Sequence, residues 1–136
     1  MAVCFVDTNL FIRYLTNDDQ VKADRVELLL KEAAAGKVQL VTAEMVIAEV
    51  VWVLESSYKL KSGEVAPLVR AILATSGLDV LNAPLVTRAL EHYETKNIDF
   101  IDGYIAAVME KQGITDLYSF DRKHISRIKA ISRKEP

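Results

Sequence analysis

Residues 2–12 read AVCFVDTNLFI. The apolar run 2–6 stops at Asp7, which is how a short strand buried on both faces of a parallel sheet reads. Asp7, Thr8 and Asn9 supply capping side chains, and Leu10-Phe11-Ile12 leads into a helix. The same alternation continues along the chain. Further short strands are expected over 38–41, 79–81 and 117–120, the last stopped by Asp121, with a small fifth at Ala130-Ile131. Between them lie a helix from Asp18 or Asp19 to about residue 35, ended by Gly36, and another over 43–57, capped by Thr42. A fourth helix runs from Ser62 to near Gly77. Pro84 fits the first turn of a fifth over 85–96, and Asn97 or Asp99 caps a sixth that ends at Gly113. Short apolar strands alternating with helices imply an α/β fold with a parallel sheet covered on both faces. Ligands in such folds bind beyond the carboxyl ends of the strands. Neither a repeat nor a linker interrupts the pattern, so residues 1–136 read as a single domain.

The chain has 136 residues, of which 51% are hydrophobic and 26% charged, with only five Gly and three Pro. Disordered and low-complexity classes are excluded. Charge-free stretches fall well short of the ~20 residues that span a bilayer, and the start, MAVCFVD, has no basic segment before its first acid. Cys4 is the single cysteine and lies in an apolar run, so it reads as a buried thiol in a cytoplasmic protein. One cysteine and two histidines make a structural zinc site a poor fit.

The net charge of −2 argues against nucleic-acid binding by bulk charge. The sign is uneven, however. Residues 120–136 carry Arg122, Lys123, Arg127, Lys129, Arg133 and Lys134 against Asp121 and Glu135. This tail reads either as a phosphate-binding surface or as a solvated helix end. His92 and His124 read as surface residues.

Four acids stand out. Asp7 and Asp121 each follow an apolar strand, so each either caps the next helix or projects at a shared sheet edge. Glu49 lies in TAEMVIAEVVWVLESS, where Met45, Val46, Trp52 and Val53 surround it on the helix surface. It therefore reads as buried, and then must be paired, protonated or metal-bound; the alternatives are a salt bridge or local exposure. Glu44 is explained by the positive end of its helix. Asp99 and Asp102 share the first turn of the sixth helix, in NIDFIDGYIAAV. Capping explains Asp99 well and Asp102 less well, because Ile98, Ile105 and Ala106 surround it. Gly103 costs about 1 kcal/mol relative to Ala in a helix, and close backbone approach is a reason to keep it. Carboxylates do not gather without a counter-ion. Hard oxygen donors suit Mg²⁺ or Mn²⁺, and two such ions ~3.5–4 Å apart suit phosphodiester cleavage.

Taken in order, VDTNLFIRYL, AEVVWVL, DFIDGYIA and LYSFDRK resemble the PIN domain, most closely the VapC-type toxins of toxin–antitoxin pairs. The resemblance covers nearly the whole chain. It implies a three-layer α/β/α sandwich and an Mg²⁺- or Mn²⁺-dependent endoribonuclease, a hydrolase acting on phosphodiester bonds. The family's acidic quartet falls on Asp7, Glu49, Asp102 and Asp121. Three of these, Asp7, Asp102 and Asp121, are then metal ligands, and Glu49 either ligates metal or orients water. Thr8, Asn9, Asp99 and Ser119 match supporting positions. Arg122, Lys123, Arg127 and Lys129 are the basic residues placed to guide RNA. Implied partners are RNA, a small VapB-type antitoxin and a second copy of the chain, with no membrane. A stand-alone PIN nuclease of RNA processing or DNA repair and an inactive PIN-fold binding module are the alternatives. A phosphotransfer receiver domain would need an acid pair at the first strand, where this chain has Asp7 alone.

Overall fold

The computed structural model describes all 136 residues, Met1–Pro136. Six helices and five short strands divide between two compact units, Met1–Ala83 and Pro84–Pro136. The α/β class is as expected.

The first unit runs β1 (Ala2–Phe5), α1 (Thr8–Thr16), α2 (Gln20–Ala34), β2 (Val38–Thr42), α3 (Glu44–Ser56), α4 (Ser62–Leu73) and β3 (Leu78–Val80). Its strands form one parallel sheet in the order β1-β2-β3, with Phe5 beside Val41 and Leu40 beside Leu78. Parallel pairing follows from the helical crossovers between successive strands. Leu40, Ile47, Val50, Val51, Leu54, Val65, Ala66 and Val69 are buried. Thr42 ends β2 rather than capping α3: its buried hydroxyl donates to the carbonyl of Val6 at 2.8 Å, and Ala43 stands at the helix start without a side-chain cap. The bond ties the end of β2 to the residue just before Asp7. Helix α4 stops at Leu73, short of Gly77. Gly77 instead serves the approach to β3. Its φ is +81°, and a Cβ there would lie 2.3 Å from the carbonyl oxygen of Ala33, so only glycine fits.

Two expectations fail in β1. Its residues are exposed rather than buried, Cys4 included. As the edge strand it has one bonded neighbour instead of two.

The second unit holds α5 (Ala83–Lys96), α6 (Phe100–Gln112), β4 (Asp116–Tyr118), a 3₁₀ turn (Ile125–Arg127) and β5 (Ser132–Lys134). Strand β4 pairs in parallel with β5, and Leu117 lies beside Arg133. The single sheet expected from the strand pattern is therefore two sheets, and the last strand starts two residues later than Ala130. Gly103 has the role its cost suggested. A Cβ at this position would meet the Ala89 carbonyl oxygen at 2.7 Å, so its absence lets α6 lie close against α5. Tyr93 and Phe100 meet edge to face at 6.2 Å. Ile98, Ala106 and Ile128 form a small core that Ile131 flanks.

Candidate functional site

In the first unit, Asp7 ends the β1 segment and begins α1, and its Oδ1 accepts the amide of Leu10 at 3.5 Å. That cap leaves the second carboxylate oxygen free. Asp7, Thr8, Asn9 and Ile12 share an open cleft of about 340 Å³ with Glu49 and Val53 of α3. Two of the four acids are thus brought to one cleft. Glu49 is exposed, contrary to the expectation that its helix face is buried. Helix α3 buries a single stripe, Ile47, Val50, Val51 and Leu54. Met45, Glu49 and Trp52 fall on another face at helical spacing, where Met45 is 77% and Trp52 64% exposed. An almost wholly apolar helix gives no sign of which stripe is inside.

A second opening, of about 420 Å³, also begins at Asp7 and Asn9. It continues along Leu10, Arg13, Lys22, Arg25, Val26 and Leu29. Sequence reasoning looked for cations in the tail and missed these three. The available signal was the i, i+3 spacing of Lys22 and Arg25 on α2.

The second unit gathers the remaining acids. Asp99 stands at the start of α6 and Asp102 in its first turn. His124 reaches both: its Nδ1 lies 3.2 Å from Asp99 Oδ2 and 3.2 Å from Asp102 Oδ2. The expectation of a solvated surface histidine is corrected, because the His124 side chain is only 20% exposed. The 3₁₀ turn at Ile125–Arg127, which the sequence reading did not foresee, carries His124 back onto α6. Asp121 organises that turn. Its Oδ1 accepts the amides of Lys123 at 3.0 Å and His124 at 3.3 Å, and its Oδ2 accepts that of Ile125 at 3.1 Å. Ser119 Oγ accepts the Asp121 amide at 3.0 Å.

The electrostatics separate the two aspartates. Burial pushes the Asp102 carboxyl above the usual carboxylate range; the charges of Asp121 and Asp99 add to this, while the His124 hydrogen bond opposes it. Asp121 is held below that range by the amides of Lys123, Ile125 and His124, against an opposing effect of burial. Ligand atoms of Asp99, Asp102 and His124 all lie within 4.8 Å of one another. Two carboxylates and an imidazole so close, one carboxylate paying for its charge by burial, form a donor set that fits a divalent cation.

His92 is also buried, not superficial. Its Nε2 lies 2.5 Å from Glu110 Oε1, and Arg88 Nε lies 3.1 Å from Glu110 Oε2. Burial raises the Glu110 carboxyl, but the bonds from His92 and Arg88 outweigh it and leave it lowered. Much of the basic tail is internally neutralised. Arg122 pairs with Glu135 at 3.0 Å, Arg133 with Glu135 at 2.8 Å and Lys134 with Asp116 at 3.0 Å. Arg127 donates to the carbonyl of Asn97. Lys123 and Lys129 remain exposed without an ion pair.

No helix is long and apolar enough to cross a membrane. The sequence model of the PIN domain matches residues 4–131. VapC ribonuclease of Aquifex aeolicus is 26% identical over 118 residues, 87% of each chain. Two solved structures are more distant. One is Mycobacterium tuberculosis VapC20, described as a Sarcin-Ricin loop cleaving toxin: 20% identical, TM-score 0.40, covering 98% of this chain and 99% of its own. The other is VapBC2 of Rickettsia felis bound to a DNA fragment from its promoter: 18% identical, TM-score 0.39, covering 99% and 98%.

Proposed function

The chain belongs to the PIN domain family, and from that premise we propose that it is a divalent-metal-dependent endoribonuclease, the toxin of a VapBC-type pair. The observation that carries the reading is the gathering of Asp99, Asp102 and Asp121 around His124, with Asp102 raised above the ordinary carboxylate range by burial and by its acidic neighbours. Such a cluster is unfavourable alone and favourable around a cation. Likeness to a VapC ribonuclease over 87% of the chain supports the toxin assignment.

In this reading residues 1–136 act as one PIN domain. Asp7, Asp102 and Asp121 would hold Mg²⁺ or Mn²⁺, with His124 beside Asp102 as a further donor, and Glu49 would ligate the metal or orient a water. Thr8, Asn9, Asp99 and Ser119 support them. A divalent ion, when bound, supplies Lewis-acid stabilisation of the leaving oxygen and a more acidic water. The chain's own contribution is positional. Asp121 fixes the turn through three amides, and that turn sets His124 against Asp99 and Asp102. Lys123 and Lys129 are the tail cations left free to meet RNA. The exposed Met45 and Trp52 on α3 suit contact with a VapB-type antitoxin or a second copy of the chain. The protein works in the cytoplasm.

The test is cleavage of a defined RNA pool by the purified protein with and without Mn²⁺, followed by mapping of the ends. Discrete Mn²⁺-dependent ends are expected, and they should disappear in Asp102→Asn. An intact pool, or ends that persist in Asp102→Asn, defeats the reading.

A further inference from the structure

We infer that the opening beside Asp7 on the first unit is a phosphate-binding track for single-stranded RNA, with Lys22 and Arg25 as its cationic contacts and Arg13 at its edge. The inference rests on the nuclease reading above and names where that enzyme grips its substrate.

Three observations carry it. First, the opening is continuous with the reaction residues. Asp7 and Asn9 line the same space of about 420 Å³ as the three cations, over an apolar floor of Leu10, Val26 and Leu29. Second, the cations are available. Lys22 and Arg25 are exposed on one face of α2, and neither takes part in an ion pair. In the tail, by contrast, Arg122 and Arg133 share Glu135, and Lys134 is paired with Asp116. Third, Arg13 is held in place but incompletely satisfied. Its Nη1 lies 3.1 Å from Asp18 Oδ1, and Tyr58 and Thr16 also donate to Asp18. Arg13 Nε is the one buried side-chain nitrogen or oxygen in the chain that lacks a hydrogen-bond partner. That nitrogen is out of a ligand's reach; with its side chain 30% exposed and Nη1 on Asp18, the guanidinium is a fixed edge of the opening, and Lys22 and Arg25 are its free cations.

The occupant follows from the chemistry. Unpaired cations on α2, in an opening that begins at a cleavage acid, suit the anionic backbone of a nucleic acid. The apolar floor accommodates the sugar and base edges without reading them, so the track should contribute affinity and little sequence preference.

The test measures binding of a fluorescent single-stranded RNA oligomer in EDTA, so that cleavage does not intervene, across a series of salt concentrations. Each phosphate contact contributes about 0.7 to the slope of log K against log salt on a single strand. The double variant Lys22→Gln/Arg25→Gln is expected to lower the slope by about 1.4 and to weaken binding roughly tenfold at low salt. Both residues are exposed, so its melting temperature should match that of the wild type; Arg25→Gln alone provides a second, milder variant with about half the slope change. In metal-supported cleavage the double variant should raise KM by more than it lowers kcat. An RNA salt slope that both variants leave intact overturns the inference, and it does so without touching the nuclease reading if the wild type still cleaves. The same result combined with lost binding of an oligoglutamate peptide would assign the track to an acidic protein segment instead. If the wild type neither binds nor cleaves RNA, the function itself falls, and this inference with it.

Discussion

The two units present their acids in opposite ways. In the first, Asp7 and Glu49 are exposed around an open cleft, and Asp7 has one long capping bond. In the second, Asp102 is partly buried and Asp121 is bound by three amides, with His124 joining Asp99 to Asp102. The first pair is free to respond to whatever enters. The second set is preorganised, and Asp102 carries the electrostatic cost. Asp7 and Asp121, each just after a short strand, thus differ because the turn after Asp121 supplies three amide donors and α1 supplies Asp7 with one.

The largest effect separates chemistry from packing. Asp102→Asn and Asp7→Asn are each expected to lower cleavage by more than 100-fold, beyond the 10–100-fold typical of groups that only orient a ligand. Single-turnover cleavage with Mn²⁺ is the measurement. Near-normal cleavage by Asp7→Asn would confine the chemistry to the second unit and break the comparison at its centre.

Metal binding should then appear in the thermal melt. An ion at 100 times its Kd adds about 2.7 kcal/mol if it binds only the folded chain. Mn²⁺ should raise the melting temperature of the wild type, and much less that of Asp102→Asn or His124→Gln. Glu49→Gln, exposed in the other unit, should leave the metal-free melt within about 0.5 kcal/mol of wild type.

A smaller effect concerns what holds Asp7. Thr42→Val removes the buried hydrogen bond to Val6 and should cost about 1 kcal/mol in denaturant unfolding. An unchanged midpoint would show that the strand ladder alone fixes the end of β1.

The subtlest test is the pH dependence of the metal-free protein, because the two aspartates have opposite signs. Asp121 is lowered in the fold, so its stabilisation is present above the ordinary carboxylate range and fades as pH falls through its lowered value. Asp121→Asn should melt lower than wild type at neutral pH, with the gap closing below about pH 4. Asp102 is raised, so it costs the fold stability that grows as pH rises from the ordinary carboxylate range to its raised value and is complete above it. Asp102→Asn should melt higher than wild type at neutral pH, with the difference shrinking in acid. Equal shifts of the same sign in both variants would erase the distinction between the two carboxylates.

Much of the molecule was legible in the residue pattern. Strand runs that stop at acids, and helices bounded by Asp19, Pro84 and Gly113, are local events that a few residues dictate, and the elements fall close to where they were read. The acids were legible for a related reason: a carboxylate among apolar neighbours violates patterning and draws notice. Gly103 was readable too, since a helical glycine carries a cost that needs a packing partner, here Ala89.

Tertiary structure alone decided the rest. Which stripe of α3 lies inside depends on what packs against it, and an apolar residue at nearly every position encodes no preference, so Glu49 was placed on the wrong side. That β4 takes β5 as its partner is a long-range choice that periodicity leaves open. The tail's cations look free in sequence and are partly cancelled in space by Glu135 and Asp116, whereas Lys22 and Arg25 stay free beside Asp7. His124 joins the acids only because a 3₁₀ turn, nucleated by the Asp121 carboxylate, brings it back across 22 residues to α6. Local sequence fixes dihedral preferences and apolar periods over a few residues, but a site made of side chains far apart in the chain exists only once packing has set their distances.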